Sequence, residues 1–238
     1  MSHEDQHRAL RDFYDHTYYA GAGAPASPSL HLRRLARRLI VHPNMAVLDV
    51  ACGVGDWLAA AHRRGARVSG IDISAKAIAV AVRRLPEGDF TTGMAGALPY
   101  AAAAFDLVTC LGALEHFPDK PAALREMRRV LRPGGRIVVL VPNADFLTRR
   151  LGLFLGTEQS AVREDVLSLD AWQGLFEASG LRIERRWRDL HVLSRSWLMR
   201  LGWRGLPPRL AQALALTVWP LRWQYQVYHL LSSAGDDR

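Results

Sequence analysis

At 238 residues the chain is long enough to bury one full α/β core with an added cap and too short for two comfortable domains, so a single domain over 1–238 is expected. Its formal net charge of +8 rests almost wholly on arginine, since lysine occurs only at Lys76 and Lys120; without a block of five consecutive cations, and with Leu and Ala interleaved, these read as solvated helix faces, and no nucleic-acid partner is expected. Only Cys52 and Cys110 are present, which excludes a disulfide framework and a four-cysteine zinc site, assigns no metal, and predicts a reducing, cytoplasmic setting.

In chain order, residues 1–20 carry the aromatic cluster Phe13, Tyr14, Tyr18 and Tyr19, and a GAGAPASPS stretch follows as a flexible linker. The first thirty residues hold no signal-peptide core, and no apolar run reaches bilayer length, so a soluble protein, monomer or homodimer, is expected. A helix is predicted over 28–41, with Leu30, Leu35, Leu39 and Ile40 opposite Arg33, Arg34, Arg37 and Arg38. Strand-like runs then fall at 45–50, 67–73, 89–92, 105–111 and 136–141, separated by helices at 56–64, 74–85 and 121–131; Ser74 caps the second of these and Pro86 stops it. A further helix over 169–179 ends at Gly180, a strand follows over 181–187, and a last alternating strand over 223–231 closes the chain. Short apolar strands alternating with helices predict a doubly wound α/β fold: a mainly parallel Rossmann-like sheet with helices on both faces and an antiparallel last strand.

The stretch VLDVACGVG, Val47 to Gly55, describes a buried strand breaking sharply into small residues before a helix, where Gly53 and Gly55 let backbone amides approach a ligand. Asp72 ends the second apolar run, where a carboxylate can accept both hydroxyls of a ribose. A dinucleotide fingerprint would need a third glycine at the position that Leu58 occupies. The loop instead carries a carboxylate within the strand, Asp49, which repels a pyrophosphate and attracts an ammonium group. S-adenosylmethionine carries that ammonium, and a nicotinamide oxidoreductase is disfavoured.

With these pieces in order over 45–142, the chain resembles the class I S-adenosylmethionine-dependent methyltransferases of the ubiquinone-type and small-molecule group. VLDVACGVG resembles their first motif, GID at Gly70 to Asp72 their ribose motif, FDLVTCLGALEHF at Phe105 to Phe117 their fourth strand and its loop, and LRPGGRIVVLVPN at Leu131 to Asn143 their fifth strand. The resemblance implies a cofactor core over 28–142, with Asp49, Ala51, Cys52, Gly53 and Gly55 facing the methionine part, Asp72 the ribose, Ile73 the adenine ring, and Leu111 the adenine amino group through its carbonyl. It implies that 1–27 forms an N-terminal lid and linker, with Tyr19 against the cofactor and Tyr14 and Tyr18 against the acceptor. Asn143 is assigned to the acceptor as well. Two positions depart from the group's pattern. Ala51 replaces a usual glycine, which a φ below zero would tolerate. Met94 stands where an aspartate is usual, so adenine is expected to rely on backbone near Ala95.

Methyl transfer is an in-line displacement in which positioning dominates, and only the acceptor's proton needs chemistry. His116, in the turn after the fourth strand, is the candidate general base and substrate contact, worth roughly 10² to 10⁴ in rate. The segments 143–168 and 190–222 are read as cap insertions over the acceptor. In the second, Leu210, Leu214, Val218 and Leu221 recur at helical spacing among Trp and Arg, a pattern that also suits peripheral membrane contact. The expected function is therefore O-methylation of a small or lipid-like hydrophobic acceptor. The alternatives are N- or C-methylation of a small molecule, an RNA acceptor, and a non-catalytic S-adenosylmethionine-binding module.

Overall fold

The structure is a computed structural model that describes residues 10–19, 27–150, 152, 164–191, 199 and 202–235. Helix α1 (Leu30–Arg38) precedes β1 (Ala46–Val50), α2 (Asp56–His62), β2 (Arg67–Asp72), α3 (Ala75–Arg84) and β3 (Asp89–Thr92). Then come β4 (Phe105–Leu111), α4 (Lys120–Val130), β5 (Leu131–Pro142), α5 (Leu169–Ala178), β6 (Leu181–Arg188), α6 (Gly202–Val218) and β7 (Gln226–Ser233). Residues 20–26 of the expected linker, and 151 and 153–163 of the insertion expected over 143–168, lie outside the described residues.

The seven strands make one sheet in the order β3-β2-β1-β4-β5-β7-β6, parallel throughout except that β7 runs against both neighbours. Chain order reverses between β1 and β4, the switch point at which an open α/β sheet leaves a crevice beyond the strands' carboxyl ends. The reason for continuous apolar strands is visible in β5. Ile137, Val139 and Val141 pack on one face with Leu124 and Met127 of α4 and with Trp172 and Phe176 of α5, while Val138 and Leu140 pack on the other with α1 and α2. Both faces are buried, so alternation in the sequence is lost.

Local chemistry sets the element ends. The Ser74 hydroxyl accepts from Ala77 N–H at 3.1 Å at the start of α3, and the Ser168 hydroxyl accepts from Ala171 N–H at 3.2 Å at the start of α5. Helix α1 is shorter than its apolar pattern, because Ser29 caps it and Ile40 turns into the left-handed region at φ 54. Strand β5 begins at Leu131 rather than near 136: Leu131 pairs with Phe105, and a register irregularity carries the ladder to Arg136 opposite Leu107.

Candidate functional site

At the carboxyl ends of β1, β2 and β4 the sheet leaves a cavity of about 380 Å³, within the range of small-molecule sites. Of the residues singled out in the sequence, Tyr14, Tyr18, Tyr19, Ala51, Asp72, Ile73, Met94, Ala95, Leu111 and His116 line it. Asp49, Cys52, Gly53, Gly55 and Asn143 do not line it.

Asp72 is the best-fixed of the polar groups. It is 5% exposed, and its two carboxylate oxygens accept from Gly53 N–H at 2.8 Å and Ser74 N–H at 2.9 Å, so the tip of β2 is tied to the glycine loop after β1. Burial raises its pKa, and these amide donors oppose the rise. The Ile73 amide supports the carboxylate as well, and of its roughly four acceptor sites one stays available to a ligand hydroxyl. Asp49 is buried one strand over and accepts from the Thr109 hydroxyl at 2.6 Å; burial pushes its carboxyl up to about 7, so a nearby cation would be strongly favoured.

The loop between them turns by positive φ. Gly53 lies at φ 53, and a Cβ built there would meet the Tyr19 hydroxyl at 2.5 Å, so a larger residue would be strained and would displace that ring. Gly55 at φ 77 is the N-cap of α2, a backbone role rather than a cavity contact. Ala51 departs from expectation: its φ is 61, not below zero, so the alanine lies in the left-handed region that favours glycine and bears the strain of it.

The aromatic N-terminal segment is seated on this site. Asp15 accepts from the Ser74 hydroxyl at 2.6 Å and from Lys76 N–H at 3.3 Å, which fixes the turn Tyr14–Tyr18 over the start of α3. Burial pushes the Tyr14 and Tyr19 phenols far above their usual range, with the Asp72 carboxylate adding to both shifts, so they remain neutral donors.

Asn143 is placed elsewhere than the acceptor contact expected of it. It is fully buried, its amide donates to the Arg222 carbonyl at 2.8 Å and the Gln224 carbonyl at 3.2 Å, and its oxygen accepts from Asp145 N–H at 3.1 Å. It ties the end of β5 to the segment entering β7. Cys52 and Cys110 are buried thiols whose pKa is pushed up by desolvation, which removes thiolate chemistry.

His116 sits at 7% exposure in the turn Leu114–His116 beyond β4. Glu115, 3% exposed, lies beside it with its pKa pushed up to about 8 by burial, and the Glu164 carboxylate adds to that rise. Glu164 escaped the sequence reading because it comes from a distant loop. Asp165 N–H donates to the Glu115 carbonyl at 3.1 Å, and the Asp165 carboxylate accepts from Lys120 Nζ at 2.8 Å. The start of α4, including Pro118, Asp119 and Ala122, supplies a further cavity wall that the sequence did not flag.

Residues 48–139 match the family described as "Methyltransferase domain". A demethylmenaquinone methyltransferase of Bacillus velezensis is 38% identical over 108 residues, 42% of this chain and 46% of that protein. A 27-O-demethylrifamycin SV methyltransferase of Amycolatopsis mediterranei is 35% identical over 164 residues, 63% of this chain and 59% of that protein. The chain thus spans about half the length of the curated relatives it matches. The solved structure of magnesium protoporphyrin IX methyltransferase from Synechocystis, with SAH bound, superposes with a TM-score of 0.62 at 18% identity, covering 94% of this chain and 98% of that one, a likeness of fold. Sheet order and motif placement agree with the family match: residues 48–139 form a methyltransferase domain, set in a sheet like that of the class I S-adenosylmethionine-dependent enzymes.

Proposed function

We propose that the chain transfers a methyl group from S-adenosylmethionine to oxygen of a small or lipid-like hydrophobic acceptor, with His116 receiving the acceptor's proton. One observation carries this reading: the fixed carboxylate of Asp72 and the ring of His116 open into the same cavity, between glycine loop and tyrosine segment. The residues present fit the cofactor. Asp72 offers lone pairs to a ribose diol, the buried carboxyl of Asp49 favours a nearby ammonium, and Ile73, Met94 and Leu111 give apolar walls for a flat base. When bound, the cofactor supplies an electrophilic methyl group.

The chain's own residues then position and exclude. Asp72 and the Gly53 amide set the cofactor's place relative to β4, where His116 stands, and Tyr14, Tyr18 and Tyr19 act as a lid that closes the cavity to water. Nδ1 of His116 is sealed from solvent, which leaves Nε2 as the nitrogen for the acceptor. A hydrophobic acceptor suits the apolar cavity wall formed by Phe117, Pro118 and Ala122 and agrees with the substrates named for the relatives. The stripe Leu210, Leu214 and Val218, exposed along α6, supports a cap that touches a membrane surface when it collects its acceptor, and no helix among the described residues is long and apolar enough to cross one.

The test is calorimetric and then chemical. S-adenosylhomocysteine is expected to bind and raise the thermal midpoint, and labelled cofactor is expected to methylate phenols or quinols at oxygen. H116Q should lower kcat by roughly 10² to 10⁴ while leaving the affinity for S-adenosylhomocysteine unchanged. Absence of any heat or thermal shift with that ligand overturns the cofactor reading; full turnover in H116Q overturns the role of the ring.

A further inference from the structure

We propose that Glu115, His116 and Glu164 form a binding site for one divalent transition-metal cation at the edge of the cavity. One donor atom from each residue lies within 4.8 Å of the other two. Ion-to-ligand distances of about 2.1 Å place ligands roughly 3 to 4 Å apart, so small side-chain rotations close the set around an ion. Two of the three donors are buried, and Glu164 is half-buried. Glu115 and His116 are 3% and 7% exposed, and Glu115 Oε2 and His116 Nδ1 are sealed from solvent with no hydrogen-bond partner. A buried polar atom left without a partner costs about 1 to 3 kcal/mol, and such atoms in a native fold call for an explanation.

The framework around the donors is built. Asp165 N–H bonds to the Glu115 carbonyl, and Ala144 N–H bonds to the Leu167 carbonyl, so the loop bearing Glu164 is stitched to the ends of β4 and β5. The nearest lysine acts on Glu115 only through its longer-range charge, because Lys120 Nζ is directed to the Asp165 carboxylate and the Phe117 carbonyl. Two carboxylates with one imidazole suit Mn²⁺, Fe²⁺ or Zn²⁺. His116 belongs both to this trio and to the cavity lining, so an ion held here borders the acceptor. The inference rests on the proposed methyl transfer and changes one part of it: with an ion present the His116 ring would be a ligand, and the acceptor would bind the cation as its oxyanion, its hydroxyl proton released to solvent on entry before the cavity closes.

The experiment titrates the full chain, stripped with EDTA, with Mn²⁺ and follows the loss of the free-ion electron paramagnetic resonance signal. One ion per chain is expected. E115Q and E164Q should each weaken it by about tenfold or more, while D56N, which removes a carboxylate paired with Arg84 outside the site, leaves it unchanged. If E115Q fails to fold, E164Q carries the test. A wild type that binds neither Mn²⁺ nor Zn²⁺ at about 1 mM, or glutamine variants that bind as well as wild type, overturns the site. Calorimetry with S-adenosylhomocysteine is run separately: ion binding without cofactor binding leaves the site standing and removes the methyltransferase reading, and the reverse result removes the site alone.

Discussion

The tips of β2 and β4 each carry a buried carboxylate, and the fold treats the two in opposite ways. Asp72 is given a backbone amide for each oxygen, while Glu115, more deeply buried, keeps an oxygen with no partner. A carboxylate whose geometry is fixed by its own loop is ready before any ligand arrives, and its orientation costs nothing at binding. One that is buried and left incomplete holds the folded state at a higher free energy than the packing requires, which is how functional sites commonly differ from the cores around them. On the proposed reading, the first tip recognises a ligand and the second is completed by an ion.

Breaking the satisfied side should have the largest effect. In Asp72→Ala the Gly53 and Ser74 amides lose their acceptor inside a buried loop, and the ribose loses its carboxylate. Hydrogen bonds to a charged group contribute about 1.5 to 3 kcal/mol each, so affinity for S-adenosylhomocysteine should fall by roughly 10² or more and urea stability by about 3 kcal/mol. Calorimetry and equilibrium unfolding read the two losses; an affinity within threefold of wild type would remove Asp72 from the ligand.

The incomplete side should respond with the opposite sign. Glu115→Gln replaces an acid that faces Glu164 by an amide able to donate to it, and in EDTA the variant should be more stable than wild type by about 1 kcal/mol near neutral pH. The pH dependence follows from the direction of the shift. The Glu115 carboxyl is raised to about 8 in the folded chain from an ordinary value near 4.5, so the folded state holds a proton that the unfolded state has released. The contribution of Glu115 is therefore fullest below about 4.5 and is lost up to about 8, at no more than ~1.4 kcal/mol per pH unit; Glu115→Gln removes that contribution and leaves the decline due to Asp49, whose carboxyl is raised to about 7. Urea midpoints at pH 5 to 9 check the sign; parallel curves for variant and wild type would show that burial of Glu115 carries no cost.

The same contrast separates what was legible in the sequence from what was not. The β2 tip is a local object: Gly53, Asp72 and Ser74 sit in two motifs whose spacing alone places a strand, a turn and a cap. The parallel order, the antiparallel β7 and the helices on both faces follow from similar short-range patterns. The β4 tip depends on long-range closure. Glu164 meets Glu115 only because Asp165 bonds across to it, and no periodicity in the intervening residues announces that contact. Asn143 was hidden for the same reason: the carbonyls of Arg222 and Gln224 that occupy its amide arrive from the other end of the chain. Ala51 was misread on local grounds, since an alanine ordinarily avoids the left-handed region and only the turn between β1 and the glycine loop forces it there.

That turn supplies the smallest of the expected effects and the finest comparison. An L residue in the left-handed region costs about 1 kcal/mol, and glycine escapes that cost while bringing more chain entropy to the unfolded state. For Ala51→Gly the relief should win, because the φ of 61 is imposed by the fold, and stability should rise by about 0.5 kcal/mol with an unchanged urea slope. Gly53→Ala, two residues on, should do the reverse and by more, because its φ of 53 becomes strained and the new methyl meets the Tyr19 hydroxyl. The pair also separates strain from ligand contact. Ala51 lines the cavity, so if Ala51→Gly stabilises the chain yet weakens S-adenosylhomocysteine binding, the methyl group itself touches the ligand, and the strain at that position is retained for recognition.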